Sequence, residues 1–406
     1  MHYDPFDASI SADPFPVYAW LRDEHPIYRS RPTDTFVLSR YEDVAAALKD
    51  TERFSSDAMN AVLLGYPAGD GKERLPRAAA RGGLVSLDPP AHSELRRIVN
   101  RGFTPRTIRE WEARIEVIVA ACLRDARPGE PFDVVDQLAA PVPVAVIAEL
   151  LGAEPERRDA FRAWADAANQ MMSGSRRGTG KPVDLEAAAI LDMAGYLMER
   201  IQERIAAPRD DLLSILMKAQ NEDVLSADEA VGFAALLLFA GSETTTNLIG
   251  NAVQALLDHP QELERVLSDE RHIPAVFEET LRWDGPVQYV FRRATEEIEL
   301  HGVTVPKNAI VTLLLAAANR DPRRFADAEI FRPDRDASDH LGFGLGTHFC
   351  LGAALARAEA ASSLRHLLPL LDGCERLGRP TYVDSYQLRG LKHLRISPSR
   401  IAARPA

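Results

Sequence analysis

The chain has 406 residues, 46% hydrophobic and 27% charged, an ordinary globular composition, and no linker, repeat or low-complexity tract divides it, so one domain over 1–406 is expected. A formal net charge of -12 argues against broad binding to nucleic acid or to an anionic membrane. Three scattered cysteines (Cys122, Cys350, Cys374) exclude a disulfide framework and fit a reducing compartment.

The N-terminal stretch is acidic and proline-punctuated and reads as neither signal peptide nor anchor, so a cytoplasmic location is expected. Residues 14–25 predict a short helix with Val17, Trp20 and Leu21 on one face. Strands are expected at 27–29 and 35–39 around the turn Pro32-Thr33-Asp34, then a helix over 41–49. From 59 to 86 glycine, proline and charge replace any pattern, which predicts a long loop. Pro90 then suits a first helical turn, and His92 and Arg96, four apart, share a face where they could clamp a carboxylate pair. Arg97, Arg101, Arg106 and Arg109 extend this basic stretch in an otherwise acidic protein.

Amphipathic helices are predicted at 107–126, 134–151, 160–172 and 185–205, the last two joined by a Gly/Arg/Ser-rich connection over 173–184. Ser226-Ala-Asp-Glu229 is a capping box that opens a helix reaching Asp258. Some thirty residues at about 1.5 Å each would cross the whole protein, while the apolar run 233–240 is far too short to span a bilayer. Ala240-Gly-Ser-Glu-Thr-Thr-Thr246 is a poor choice for the middle of a buried helix. Glycine is costly there, and the hydroxyls can bond back to carbonyls and bend the ladder. Local rules broken in one place point to function.

A further helix is expected over 273–283, with Glu279 and Arg282 three apart on one side. Residues 286–315 read as β-rich, with strands at 289–294, 298–300, 303–305 and 310–315. Gln288, Val290 and Arg292 are placed on one face, and Arg293 competes because one residue of slip reverses the strand. Short strands are expected over 380–396, with a tip near Leu388. Between these regions lies His340-Leu-Gly-Phe-Gly-Leu-Gly-Thr-His-Phe-Cys-Leu-Gly352. Glycines at alternate positions let bare backbone approach a flat partner, and Cys350 opens a helix over 351–371 whose free N–H groups favour a thiolate. Such a loop suits an axial ligand to haem iron.

Phe343-Gly-Leu-Gly-Thr-His-Phe-Cys-Leu-Gly352 resembles the haem-binding signature of the cytochrome P450 family. The resemblance extends from about Asp13 to Ile396, with its motifs in the expected order. It implies a mainly α fold with a minor β region, and haem b held between the long central helix and the Cys-loop helix. Cys350 would bind the iron, with Phe343, Gly344 and Gly352 around it. His92, Arg96, Arg292 and His348 would hold the propionates. Ala240 and Gly241 would open a groove for dioxygen, and Glu243 and Thr244 would be the acid–alcohol pair that delivers protons. Glu243 stands where many relatives carry Asp. The buried Glu279–Arg282–Arg335 network would be structural. The loop at 59–86 would cover the distal side, and the helices over 160–205 would lid the cavity.

The implied activity is a haem-thiolate monooxygenase, an oxidoreductase that uses O2 and electrons from a ferredoxin-type partner with its reductase. No glycine motif for a flavin or nicotinamide follows a strand here. Leu236, Phe239, Ala240, Gln288 and Val290 predict a mostly apolar pocket, hence a terpenoid, steroid, fatty-acid or polyketide substrate. Three rivals are a peroxide-driven haem-thiolate peroxygenase, a non-catalytic haem sensor, and a zinc or cysteine-nucleophile enzyme built on His340, His348 and Cys350.

Overall fold

The computed structural model describes residues 1–58, 83–174, 184–220, 225–385 and 387–399. Its helices, in chain order, are α1 (Ala8–Ala12), α2 (Phe15–Glu24), α3 (Tyr41–Lys49), α4 (Ala91–Val99), α5 (Pro105–Cys122), α6 (Pro141–Leu150) and α7 (Arg158–Gly174). These are followed by α8 (Asp184–Ala206), α9 (Leu212–Gln220), α10 (Ala227–Asp258), α11 (Pro260–Ser268), α12 (Ile273–Trp283), α13 (Leu315–Ala318) and α14 (Ala353–Leu371). The strands are β1 (Ile27–Ser30), β2 (Thr35–Leu38), β3 (Phe54–Ser55), β4 (Phe132–Asp133), β5 (Val290–Ala294) and β6 (Ile298–Leu300). After them come β7 (Val303–Val305), β8 (Ile310–Leu313), β9 (Glu375–Arg376), β10 (Thr381–Tyr382), β11 (Leu391–His393) and β12 (Arg395–Ser397). The fold is thus mainly helical with a minor β region, as the sequence implies.

Helix α10 is the axle. Its 32 residues start at the predicted capping box: Ser226 Oγ accepts from the Glu229 N–H, and the Glu229 carboxylate accepts from the Ser226 N–H. The polar stretch in its middle does not break it. Ser242, Thr244 and Thr246 donate to the carbonyls four residues back, at 2.5, 2.7 and 2.8 Å, so each hydroxyl is satisfied inside the helix. The helix packs against α6, α8, α12 and α14. Its second half, from Asn247 to Leu256, is buried on every side.

A five-stranded sheet in the order β1-β2-β8-β5-β3 forms the second layer, and only the β2–β8 pair is parallel. Residues of β2, β5 and β8 fill a core of their own with α3 beneath. Of the boundaries that differ from the sequence reading, α5 ends at Cys122 rather than at 126, and two others have a plain physical reason. Strand β8 stops at Leu313, and the alanine run after it coils into α13, as alanine's helix preference favours. The helix expected over 134–151 is a π-helical turn (Val135–Ala139) followed by α6. Pro141 has no N–H to continue the ladder and so serves as a first-turn residue. Of the long loop at 59–86, residues 59–82 lie outside the described residues, as do 175–183 of the connection between α7 and α8. Leu84–Ser86 forms a single 3-10 turn.

Candidate active site

The glycine loop lies between α12 and α14 and faces α10 across a cavity with about 1530 Å³ of empty space, its mouth included. From α10 the wall takes Leu236, Leu237, Ala240, Gly241, Thr244 and Thr245, two residues from each successive turn. At about 100° per residue, Phe239 sits roughly 140° round the helix from Thr244. It is therefore absent from the wall, and Leu237 and Phe233 take the place expected for it. Glu243, about 100° from Thr244 on the side opposite Thr245, is also off the wall. Its half-buried carboxyl lies near Asp166 of α7, and burial followed by that like charge raises its pKa to about 7.

The loop itself is drawn back on itself. The Cys350 N–H donates to the Phe343 carbonyl at 2.8 Å, and Gly344 and Gly346 take positive φ values of 71° and 72°, conformations that glycine adopts freely. Phe343, Gly344, Cys350 and Gly352 all line the cavity. The expected thiolate preference is not met by the chain alone. Helix α14 begins at Ala353, and the dominant influence on Cys350 is desolvation, which raises its thiol pKa. A Gly352 backbone N–H and the charges of Arg96 and Arg357 pull the other way. A cationic metal at the sulfur is the further charge that would remove the proton outright.

One end of the cavity is cationic. His92, Arg96, Arg292 and His348 all reach it, from α4, β5 and the glycine loop. The rings of His92 and His348 are 4.2 Å apart. His92 is 2% exposed, yet neither of its ring nitrogens has a partner. Arg292, buried, donates to the Phe291 carbonyl at 2.8 Å, and desolvation lowers its pKa to about 10. His348 is pushed to about 3 by desolvation and then by the positive charges around it, and its Nε2 lies 2.9 Å from Ser56 Oγ. Among the described residues neither Arg96 nor Arg292 is in an ion pair. Arg96 is half-buried and donates to Asn100 at 3.2 Å, but the buried Arg292 and the unsatisfied His92 imidazole are expensive unless an anion enters the corner. The haem implied by the sequence resemblance fits these residues: bare glycine backbone would admit a flat ring, and this corner would take its two propionates.

Register decides the rest of β5. Val290 and Arg292 face the cavity, whereas Arg293 lies at the surface in an ion pair with Asp57. Gln288 does not follow them. The strand starts only at Val290, so alternation does not extend back through the turn. The Gln288 amide instead donates to the Gly285 carbonyl and accepts from the Tyr18 hydroxyl. Val287 takes its place on the wall. Leu388 pairs with Val287 in an isolated bridge and is likewise off the wall.

The structural trio comes together as expected. Glu279 accepts from Arg282 at 2.7 and 2.8 Å and from Arg335 at 3.0 Å, with Glu279 and Arg282 fully buried. The zinc or cysteine-nucleophile reading fails on His340. Its Nε2 faces Glu278 at 3.1 Å, its Nδ1 accepts from the Gly342 N–H, and it does not line the cavity. Sequence reasoning missed Ser56, Glu278, Arg357 and Glu359. Glu359 is a buried carboxyl on α14 that burial raises to about 8. A Glu or Arg on a helix carries no local signal of its tertiary surroundings, so Glu278, Arg357 and Glu359 were not legible, nor was Ser56, whose partner His348 is 292 residues away.

A sequence model described as cytochrome P450 matches residues 9–370. Vitamin D(3) 25-hydroxylase from Pseudonocardia autotrophica is 37% identical over 403 residues, covering 97% of this chain and 96% of that protein. The cytochrome P450 CYP109Q5 from Chondromyces apiculatus superposes with a TM-score of 0.87 at 35% identity, covering 99% of both chains. CYP109E1 from Bacillus megaterium, solved in complex with testosterone, gives a TM-score of 0.84 at 31% identity, covering 96% of this chain and 98% of that one.

Proposed function

The chain belongs to the cytochrome P450 family, and from that premise we propose that Cys350 is the axial ligand of its haem and that an apolar substrate is hydroxylated in the cavity under α10. Members of the family bind haem b through a cysteine thiolate and are monooxygenases, so the protein is an oxidoreductase that incorporates molecular oxygen. When bound, the haem supplies oxygen activation, with the thiolate's electron density favouring O–O cleavage.

The chain's own residues do the rest. Arg96 and Arg292 hold the propionates by charge-assisted bonds and His92 acts as a neutral donor beside them, while His348, its ring already engaged by Ser56 and the Leu87 carbonyl, walls the corner. Ala240 and Gly241 keep the α10 wall low, leaving room for dioxygen. Thr244 Oγ1, now turned to the Ala240 carbonyl, lies on the wall where it can pass a proton inward. Glu243 is the group that refills it through water, because a carboxyl near pKa 7 both holds and releases a proton at neutral pH. Leu236 and Val290 orient the substrate, whose size we place in the sterol range. The vitamin D(3) hydroxylase and the testosterone-bound relative support that choice. Electrons arrive from a ferredoxin-type partner and its reductase at the face bearing Arg97, Arg101, Arg106 and Arg109, all exposed. All three cysteines are unpaired, which supports a cytoplasmic location.

The observation that carries this reading is the unpartnered His92 beside the buried Arg292 and the half-buried Arg96, on the same cavity as Cys350. Turnover driven by NADPH through surrogate ferredoxin and reductase, under isotope-labelled dioxygen and with a panel of sterols, tests it. Labelled hydroxyl in the product is the expected result. Turnover only with peroxide would instead make the protein a peroxygenase, and sterol binding without any product would make it a sensor.

A further inference from the structure

Outside the groups used above, one carboxylate ties together three separate parts of the Cys-loop side. Glu278, on α12, receives both arms of the Arg357 guanidinium, at 2.6 and 2.9 Å, from α14. The same carboxylate faces His340 Nε2 at 3.1 Å, at the first residue of the glycine loop. Since His340 Nδ1 accepts the Gly342 N–H at 3.0 Å, its proton sits on Nε2 and points to Glu278. Arg357 then lies over the Phe343 ring, 4.6 Å from its centre, and the His340 ring flanks the same phenylalanine at 5.8 Å. Phe343 in turn accepts the Cys350 N–H. A side chain 40% exposed, as Arg357 is, would ordinarily move freely. The fork-to-fork contact with Glu278 prevents this, leaving a fixed cation on the protein side of the sulfur.

We infer that Arg357, clamped over Phe343 by Glu278, is a positioning residue that sets how readily the haem iron accepts its first electron. The physical reason is the sign of the charge. One-electron reduction adds negative charge to the iron–thiolate unit, and a fixed guanidinium beside it stabilises the reduced form, so the clamp raises the potential. Arg96 acts in the same sense but is committed to the propionate corner, whereas Arg357 has no part in binding. The inference rests on Cys350 ligating haem as proposed above.

The test is a dye-mediated reductive titration of the haem-loaded protein, with the carbon monoxide spectrum recorded for each variant. Arg357→Gln should lower the ferrous-to-ferric ratio at fixed ambient potential by about tenfold, about 59 mV for one electron, while the thiolate-type carbon monoxide band persists. Glu278→Ala is the sharper variant. Removing a negative charge should by itself raise the potential, but loss of the clamp frees Arg357 into solvent, so a fall is expected. A merely structural contact would not produce that sign. An unchanged or raised potential in Arg357→Gln, or a rise in Glu278→Ala, overturns the inference. Should Arg357→Gln fail to load haem, Arg357→Lys keeps the charge without the fork and should show a smaller fall; no fall there overturns it equally. Absence of the thiolate band in the wild type would instead remove the premise, and the two failures are therefore distinct.

Discussion

Replacing Glu279 with glutamine should cost more stability than any surface charge in the protein. Its carboxylate is the common acceptor for Arg282, Arg335 and the Arg332 N–H. Side-chain exposures are 1% for Glu279, 0% for Arg282 and 8% for Arg335. Glutamine keeps the shape but turns an NH2 toward two guanidinium groups and leaves them without a counter-charge. The arginines retain carbonyl acceptors at Asn319, Ala328, Asp327 and Ile330, which limits the damage. Breaking a buried ion pair by removing one partner costs about 3–5 kcal/mol. The unfolding entropy for 406 residues is roughly 0.85 kcal/mol/K, so a loss of about 4 kcal/mol lowers the melting temperature by about 5 °C. Scanning calorimetry of the haem-loaded protein checks this. Glu110→Gln is the control, because Arg106 and Glu110 are 85% and 63% exposed, and it should move melting by no more than about 1 °C. A Glu279→Gln protein that melts with the control would refute the buried network as a stabilising unit.

Glu243→Gln tests the acid beside the cavity by pH. Its folded pKa of about 7 lies above an unfolded carboxyl of about 4.3. Stability is therefore full below pH 4 and falls as pH rises through 7. The substitution should leave stability at pH 4 unchanged and raise it at pH 8 by on the order of 3 kcal/mol, read by denaturant titration; equal effects at both pH values would exclude a raised pKa. Arg96→Gln or Arg292→Gln should each speed haem loss to a scavenging apoprotein about 10- to 100-fold, from a charged hydrogen bond worth about 1.5–3 kcal/mol. An unchanged rate in both would place the propionates elsewhere. Ser226→Ala removes the α10 cap and should cost about 1 kcal/mol without altering the haem spectrum.

What was legible depended on whether a residue's role is carried by local spacing. The glycine loop, the capping box and the His92/Arg96 pair are written within a few residues each; the cap forms as read, and His92 and Arg96 line the same cavity as the loop. Facing is harder. Thr244 alone does not fix which side of α10 meets the cavity; Leu236 and Ala240 lie on its stripe, and Phe239 lies across the helix from it. Gln288 failed because alternation holds only inside a hydrogen-bonded strand, and β5 begins two residues later. Glu278 was hidden by its neighbour. Glu279 carries the recognisable spacing to Arg282, whereas the partners of Glu278, Arg357 and His340, are 79 and 62 residues away.

The most direct measurement is the absorption spectrum of the dithionite-reduced protein under carbon monoxide, taken beside Cys350→His. The red-shifted band of thiolate ligation should appear in the wild type, and the histidine variant should keep haem but lose that band. A wild type without it, or a variant that retains it, would show that Cys350 does not hold the iron.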